Sequence, residues 1–405
     1  MHRYVLTLFV VILLTGCAKH THLGNPELPY PPQATAEVGA ILHMSTGQTT
    51  SQETMLEHAT QARIVYVGET HDNPASHRLQ LEVLSHLQQK NPGNLVLAME
   101  MFTPDQQDVL NRWSNGELTE KEFIKDVQWY SNWKMDFSYY SSLLTFARDN
   151  KIPVIGINAP KELVRAVGMT PVDDLSGDIR ERLPEFDFTD PYQKAMTKAI
   201  YGAHPVSDSM KEGFLRIQTL WDESMAENLT DYLQSDAGKG RQAMVVAGGN
   251  HVSYGFGIPR RAFRRLPLSY LLIGSRTIEI AEGKEVETMK VSMPSFPMPP
   301  YHFMTYTRYE NLPTQGVKLG VHLKEIEQAV TVVSVMPGSA AEHAGLQADD
   351  IIRKIDEIEV LESFDLVYQL KQKKSTDHAL LNIERGGESQ EINVDFSTAE
   401  EHPRQ

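Results

Sequence analysis

The feature that most restricts the fold is a set of short apolar runs: ARIVYVG at 62–68, NLVLAMEM at 94–101, KIPVIGI at 151–157 and QAMVVA at 242–247. They are rich in Val and Ile, short enough for buried strands, and separated by stretches with helical spacing. In HRLQLEVLSHLQQ, for example, Leu79, Val83 and Leu87 recur on one face. That alternation reads as an α/β fold, a mainly parallel sheet flanked by helices. The stretch 161–235 is mostly helical in pattern, clearest in TLWDESMAENLTDYL, and reads as a helical insertion set against the sheet. Residues 294–315 hold five prolines and no helical period, which predicts a linker.

Each run ends in polar residues. The first leads into Gly68-Glu69-Thr70-His71-Asp72, the second into Glu100, the third into Asn158, and the fourth into Gly248-Gly249-Asn250-His251. Ligands of open parallel sheets bind beyond the carboxyl ends of the strands, so two carboxylates, an amide and two imidazoles are expected on one rim. The glycines ahead of each histidine predict tight turns. Two chemistries suit such a rim. Glu69, His71 and His251 form a candidate divalent-metal site, with Glu69 or Glu100 as general base. Alternatively, the rim holds a flat aromatic ligand and supplies a donor to its iron. No HExxH is present, and the residues alone leave both open.

Composition narrows the classes further. The chain has 405 residues with 38 Lys+Arg against 53 Asp+Glu, a formal charge of -15, so an acidic surface disfavours nucleic acid. Its single cysteine excludes an intramolecular disulfide, a cysteine-ligated cluster and a CxxCH haem attachment. That cysteine, Cys17, follows His2, Arg3, the apolar run from Val5 to Leu14, Thr15 and Gly16. The arrangement reads as a secretory signal over residues 1–17, and Leu14-Thr15-Gly16-Cys17 resembles a bacterial lipobox. The resemblance implies lipidation at Cys17, a tether over 18–39 and, with Ala18 rather than Asp following, an anchor in the outer membrane facing periplasm or surface.

Two further resemblances cover most of the remaining chain. Pro337-Gly338-Ser339-Ala340-Ala341, Ala344-Gly345-Leu346 and Asp349-Asp350-Ile351-Ile352 are similar to the signature of bacterial PDZ domains, with Ala348 where glycine is usual. A β-rich PDZ-like domain is therefore expected over 316–397, with Leu319, Gly320 and Val321 cradling the C-terminal carboxylate of a partner peptide. In the first domain, expected over 40–293, five blocks occur in order: VYVGETHDNPASHRLQLEVL, AMEMFTPDQQ, the segment with Trp133, Tyr140 and Ala147 leading into IPVIGIN, IQTLWDESMA, and VVAGGNHVSYGFGIPRR. Together they resemble the ChaN family of haem-binding lipoproteins in the Tiki/TraB/erythromycin-esterase superfamily. The paired GxxH elements correspond to Gly68–His71 and Gly248–His251, and the second-strand glutamate to Glu100.

That resemblance implies noncovalent haem held by a tyrosine at a homodimer interface, in an iron-uptake role. Tyr140 and Tyr254 are the candidate iron ligands. His251 and Arg260, the latter in a basic cluster with Arg261, Arg264 and Arg265, are candidates for the propionates. Trp129, Trp133 and Trp221 are candidates to wall an apolar slot. Three functions follow as expectations: a haem-binding surface lipoprotein with a peptide-binding PDZ module, a metal-dependent hydrolase using Glu69, His71, Glu100 and His251, and a non-enzymatic periplasmic adaptor.

Overall fold

The computed structural model describes residues 36–202, 207–280, 293–312, 316–327 and 329–398. The signal, Cys17 and nearly all of the tether lie outside these residues. The first domain is built on eight strands: β1 (Ile41–His43), β2 (Gln48–Thr50), β3 (Ile64–Glu69), β4 (Leu95–Met99), β5 (Val154–Gly156), β6 (Gln242–Gly248), β7 (Tyr270–Glu279) and β8 (Phe303–Arg308). Their order is β2-β1-β8-β7-β3-β6-β4-β5. The six from β8 to β5 are parallel, and β1 and β2 add an antiparallel edge.

Strand periodicity splits the central strands between two cores. Val65, Val67, Leu97, Met99, Met244 and Val246 face one way. They meet α1 (Gln52–Gln61), α2 (Pro74–Lys90), α3 (Gln107–Asn115), α4 (Glu120–Asp126), α5 (Trp129–Asn132) and α6 (Ser138–Asp149). Tyr66, Val96, Ala98, Val245 and Ala247 face the other way. The helices after β5 are α7 (Lys161–Met169), α8 (Gly177–Glu181), α9 (Pro191–Gly202) and α10 (Asp208–Gln234), and after β6 come α11 (Gly249–Val252) and α12 (Ile258–Arg265). The 27-residue α10 forms the last part of the expected insertion and buries Met225, Ala226 and Leu229 against the second face. Among the described residues no helix is long and apolar enough to cross a membrane.

Two differences from expectation stand out. The segment 294–315 is not simply a linker, because its middle forms β8, paired with β1 on one side and β7 on the other. Four of its five prolines precede the strand, where a missing N–H costs no ladder bond. β7, whose buried run LLIG is bounded by polar residues, also belongs to the sheet.

The second domain has β9 (Val321–Ile326), β10 (Ala329–Val335), β11 (Ile351–Ile355), β12 (Ile358–Glu359), β13 (His378–Arg385) and β14 (Glu388–Asp395), with helices α13 (Ala340–His343) and α14 (Ser363–Lys371). Its ladders are antiparallel, and β9 is an edge. Val330, Val332, Ile352, Leu366, Leu381 and Val394 form a separate core. Where the usual glycine is replaced by Ala348, the left-handed conformation falls on the next residue, Asp349, at φ 70°.

Candidate functional site

The rim is assembled by register. Glu69 ends β3 opposite Gly248, which ends β6. Glu100 follows β4, and its N–H donates to the Val246 carbonyl at 3.0 Å. Because β6 lies between β3 and β4, these ends are adjacent. Glu69, His71, Glu100, Asn158 and His251 line one cavity of about 690 Å³, together with Trp133, Tyr201 and Trp221. That volume falls within the range of small-molecule sites, about 300 to 1,000 Å³.

Two similar arrangements face each other across Glu100. In the first, His71 Nδ1 sits 2.6 Å from Glu69, and the Trp133 indole stands edge-on to the imidazole at 5.1 Å. In the second, His251 Nδ1 sits 2.7 Å from Asp222, and Trp221 stands edge-on at 6.0 Å. Glu100 lies between them, with Oε1 3.4 Å from His251 Nε2 and Oε2 accepting the Gly248 N–H at 2.6 Å. Asn158 braces the rim, donating to the Glu100 carbonyl at 2.9 Å and accepting from the Ala159 N–H at 2.8 Å.

Charge follows from this geometry. Burial opposes ionisation of Glu69, but the His71 hydrogen bond, His77 and Gln80 outweigh it and hold the carboxyl at about 2. Burial likewise opposes the His71 cation, yet the bond to Glu69 and the charge of Glu100 raise it to about 9. His251 is also raised: burial acts against it, and Glu100 and Asp222 prevail. At neutral pH the cavity therefore presents an imidazolium at His71, whose side chain is 32% exposed. His251 is almost enclosed.

Gly248 is required by proximity rather than by a turn. A Cβ there would stand 2.9 Å from His71 Nε2 and 3.6 Å from the Glu100 carboxylate. Gly68 and Gly248 both lie inside strands, and neither has a positive φ, so the expected tight turns do not form there.

Several expected site residues are placed differently. The metal grouping of Glu69, His71 and His251 does not assemble, and among the described residues no group of three or more His, Cys, Asp or Glu is arranged to hold a metal ion. Glu69 is already committed to His71, Gln80 and Tyr140. Tyr140 is fully buried and donates to Glu69 at 2.7 Å, and burial followed by that carboxylate's charge pushes its phenol well above the usual range. It braces the floor of the site and does not line the cavity. Tyr254, at φ 58°, stacks on Phe256 at 5.3 Å and likewise is not part of the cavity lining.

The basic cluster is internally neutralised. Arg260 bonds Asp190 and lies over the Phe256 ring, while Arg261, Arg264 and Arg265 converge on the buried carboxylate of Glu223 at 2.9, 3.1 and 2.7 Å. These ion pairs clamp α12 to the insertion, so Arg260 is not placed for a ligand in the rim cavity. Trp129 is buried with its indole N–H on the Met135 carbonyl, whereas Trp133 and Trp221 do wall the cavity.

Three residues of the site escaped the sequence reading. Asp222 and Gln218 on α10 hold His251 Nδ1, at 2.7 and 3.0 Å, and Tyr201 at the end of α9 lines the cavity. The signal for the first lay in the acidic pair Asp222-Glu223 between Leu220-Trp221 and Met225-Ala226.

In the second domain, Leu319 is buried, Gly320 adopts φ 82°, and Val321 opens the edge strand. A Cβ on Gly320 would stand 2.2 Å from that of Ser339, so the loop is closed against the turn before α13. β9 and α14 are neighbours, with the Ser363 N–H at the start of the helix donating to Glu325 at 2.8 Å.

Comparison with known proteins places these features. The sequence model of the family described as haem-binding uptake, Tiki superfamily, ChaN, matches residues 55–262, and that of the PDZ domain matches residues 317–396. A solved structure of ChaN of Campylobacter jejuni, described as binding haem cofacially, is similar in fold with a TM-score of 0.51 at 17% identity, covering 65% of this chain and 95% of that one. The PDZ domain of HtrA3 bound to a phage-derived ligand overlaps 20% of this chain and 83% of its own, at 19% identity and a TM-score of 0.18. Protein RETICULATA-RELATED 5, chloroplastic, of Arabidopsis thaliana is 26% identical over 234 residues, 54% of this chain. The chain spans 31% of the length of that protein. With the family's sequence model matching just over half of its length, the chain belongs to the ChaN haem-binding uptake family of the Tiki superfamily and joins that domain to a PDZ domain.

Proposed function

We propose that the protein holds haem as a guest in the rim cavity, as a lipid-anchored component of iron acquisition, and that its PDZ domain binds the C-terminus of a partner protein. The observation that carries this reading is the pairing of flat indole walls, Trp133 and Trp221, with carboxylate-anchored imidazoles in one cavity of about 690 Å³. The donors fit an iron porphyrin. The His71 imidazolium suits a propionate by a charge-assisted hydrogen bond, and Tyr201 is the phenol on the cavity wall that suits ferric iron. Haem supplies the iron chemistry when bound, while this chain positions it and limits water.

The anchor in this reading is a lipidated Cys17 in the bacterial outer membrane. Loss of palmitate labelling and of membrane association in Cys17→Ser is the expected outcome. The cofacial haem arrangement described for the Campylobacter jejuni protein makes a homodimer the expected haem-loaded form, to be measured by sedimentation with and without haemin. The haem reading itself is tested by titrating the detergent-solubilised full chain with haemin. A saturable Soret shift, weakened by His71→Ala and Tyr201→Phe, is expected, and absence of saturation overturns it. The hydrolytic alternative has less support, since the carboxylates and imidazoles are paired with one another rather than arranged around a metal.

A further inference from the structure

We infer that occupation of the PDZ peptide groove and occupation of the rim cavity are energetically coupled, through two struts that reach separate walls of the cavity, one from α14 of the PDZ domain and one from the chain that leads into it. The inference rests on the haem and peptide reading above.

The first strut is α14. Leu366 and Leu370 face the PDZ core, while Phe364, Tyr368 and Lys371, spaced i, i+4, i+7, lie on the opposite side of the helix against the α/β domain. There, Phe364 meets the Tyr130 ring at 6.2 Å, and Lys371 reaches Asp136 at 3.1 Å. From the same helix Asp365 takes Lys121 at 2.8 Å. Asp136 also accepts the Ser138 N–H at the start of α6, at 3.1 Å. Trp133, three residues earlier, stands against His71 and donates to Tyr140. The outer face of the groove helix is thus built onto the segment that forms one indole wall.

The second strut holds the chain just ahead of the PDZ domain. Tyr309 donates to Asp72 at 2.8 Å, and Arg78 grips Glu310 with two bonds of 2.6 Å. Asp72 and Thr70 line the cavity beside His71. The carboxylate loop and α14 are themselves joined, because the Val317 N–H donates to the Leu370 carbonyl at 3.1 Å. Gly316 packs so closely on Lys371 that a Cβ would stand 2.6 Å from its Cα. A peptide added beside β9 therefore bears on α14 and on the loop together, and α14 leads to the Trp133 wall.

Coupling of this kind is reciprocal, since each ligand alters the other's affinity by one common factor. The test uses the full chain in detergent, haemin, and the tightest binder drawn from a random hexapeptide library with free C-terminal carboxylates. An amide-capped version serves as control. Saturating peptide is expected to change the haemin dissociation constant, read from the Soret band, by about 5-fold or more. Saturating haemin is expected to change the peptide constant, read by fluorescence anisotropy, by the same factor. A Lys371→Ala, Tyr309→Phe double variant is expected to bind each ligand alone within about 2-fold of wild type and to lose the mutual effect, while Lys371→Arg retains it. Two ligands that bind with unchanged constants overturn the coupling alone. Failure of haemin or of every peptide to bind overturns the underlying reading, and the coupling with it.

Discussion

Tyr140 donates to Oε1 of Glu69 at 2.7 Å, the same oxygen that His71 Nδ1 reaches at 2.6 Å. A single buried carboxylate oxygen thus links the aromatic core under the sheet to the imidazole at its rim. The other oxygen takes the Gln80 amide at 2.5 Å. The ion pair is held from below, and His71 is left with Nε2 directed toward the cavity.

Removing the phenol should cost stability and leave the guest's coordination intact. Tyr140→Phe deprives a fully buried carboxylate of one donor, at a cost of about 1–3 kcal/mol in urea unfolding. The Soret maximum of the haemin complex should stay where it is. A shifted maximum would place the phenol on iron after all.

Glu69→Gln should release His71. Without the carboxylate, the His71 pKa should fall from about 9 toward the ordinary histidine range, as read from its ring protons by NMR. Haemin affinity at pH 8 should drop by about 10-fold, the equivalent of roughly 1.4 kcal/mol, as the imidazolium is lost. An unchanged titration would separate the two residues.

The same pair sets two limits of pH stability. Glu69, lowered to about 2, contributes stability that is present above its unfolded value near 4.5 and lost as pH falls toward 2. His71, raised to about 9, contributes stability present below its unfolded value of 6.5 and lost as pH rises through 9. The Glu69–His71 pair contributes to both shifts, beside His77 and Gln80 for Glu69 and Glu100 for His71, so Glu69→Gln should remove the acid flank and shrink the alkaline one in a plot of melting temperature against pH.

Gly248→Ala should distort the cavity while the fold persists. The added methyl, 2.9 Å from His71 Nε2, must displace an imidazole fixed at its other nitrogen. Haemin binding should weaken by about 10-fold or more, on the scale of a lost charge-assisted contact, with the far-ultraviolet circular dichroism unchanged. Gly320→Ala makes the matching change in the PDZ domain. Its φ of 82° and the Ser339 side chain leave no room for a Cβ, so peptide binding should fail first there while haemin still binds.

The strand ends were legible because buried parallel strands write continuous apolar runs, and the chemistry follows at their carboxyl ends. Glu69, His71, Glu100, Asn158 and His251 could be assigned to one rim from position alone. Asp222 could not, since it comes from a helix whose facing surface depends on how the insertion packs. Arg260 and its neighbours looked like an anion site because their partners, Asp190 and Glu223, lie 38 to 70 residues away in sequence. Tyr140 looked like a ligand because a tyrosine's bonding partner is invisible until the tertiary fold brings Glu69 to it. β8 was hidden by the prolines of its segment, which flank the strand instead of interrupting it.

The place of β8 between β1 and β7 has a consequence for how the molecule comes into being. The amino-terminal hairpin of β1 and β2 reaches the sheet only by pairing with residues 303–308, so it must wait while most of the first domain emerges. Tyr309 and Glu310, which grip the rim loop, follow immediately. The last seam of the sheet and the clasp on the rim loop are therefore supplied by one continuous stretch, residues 303–310.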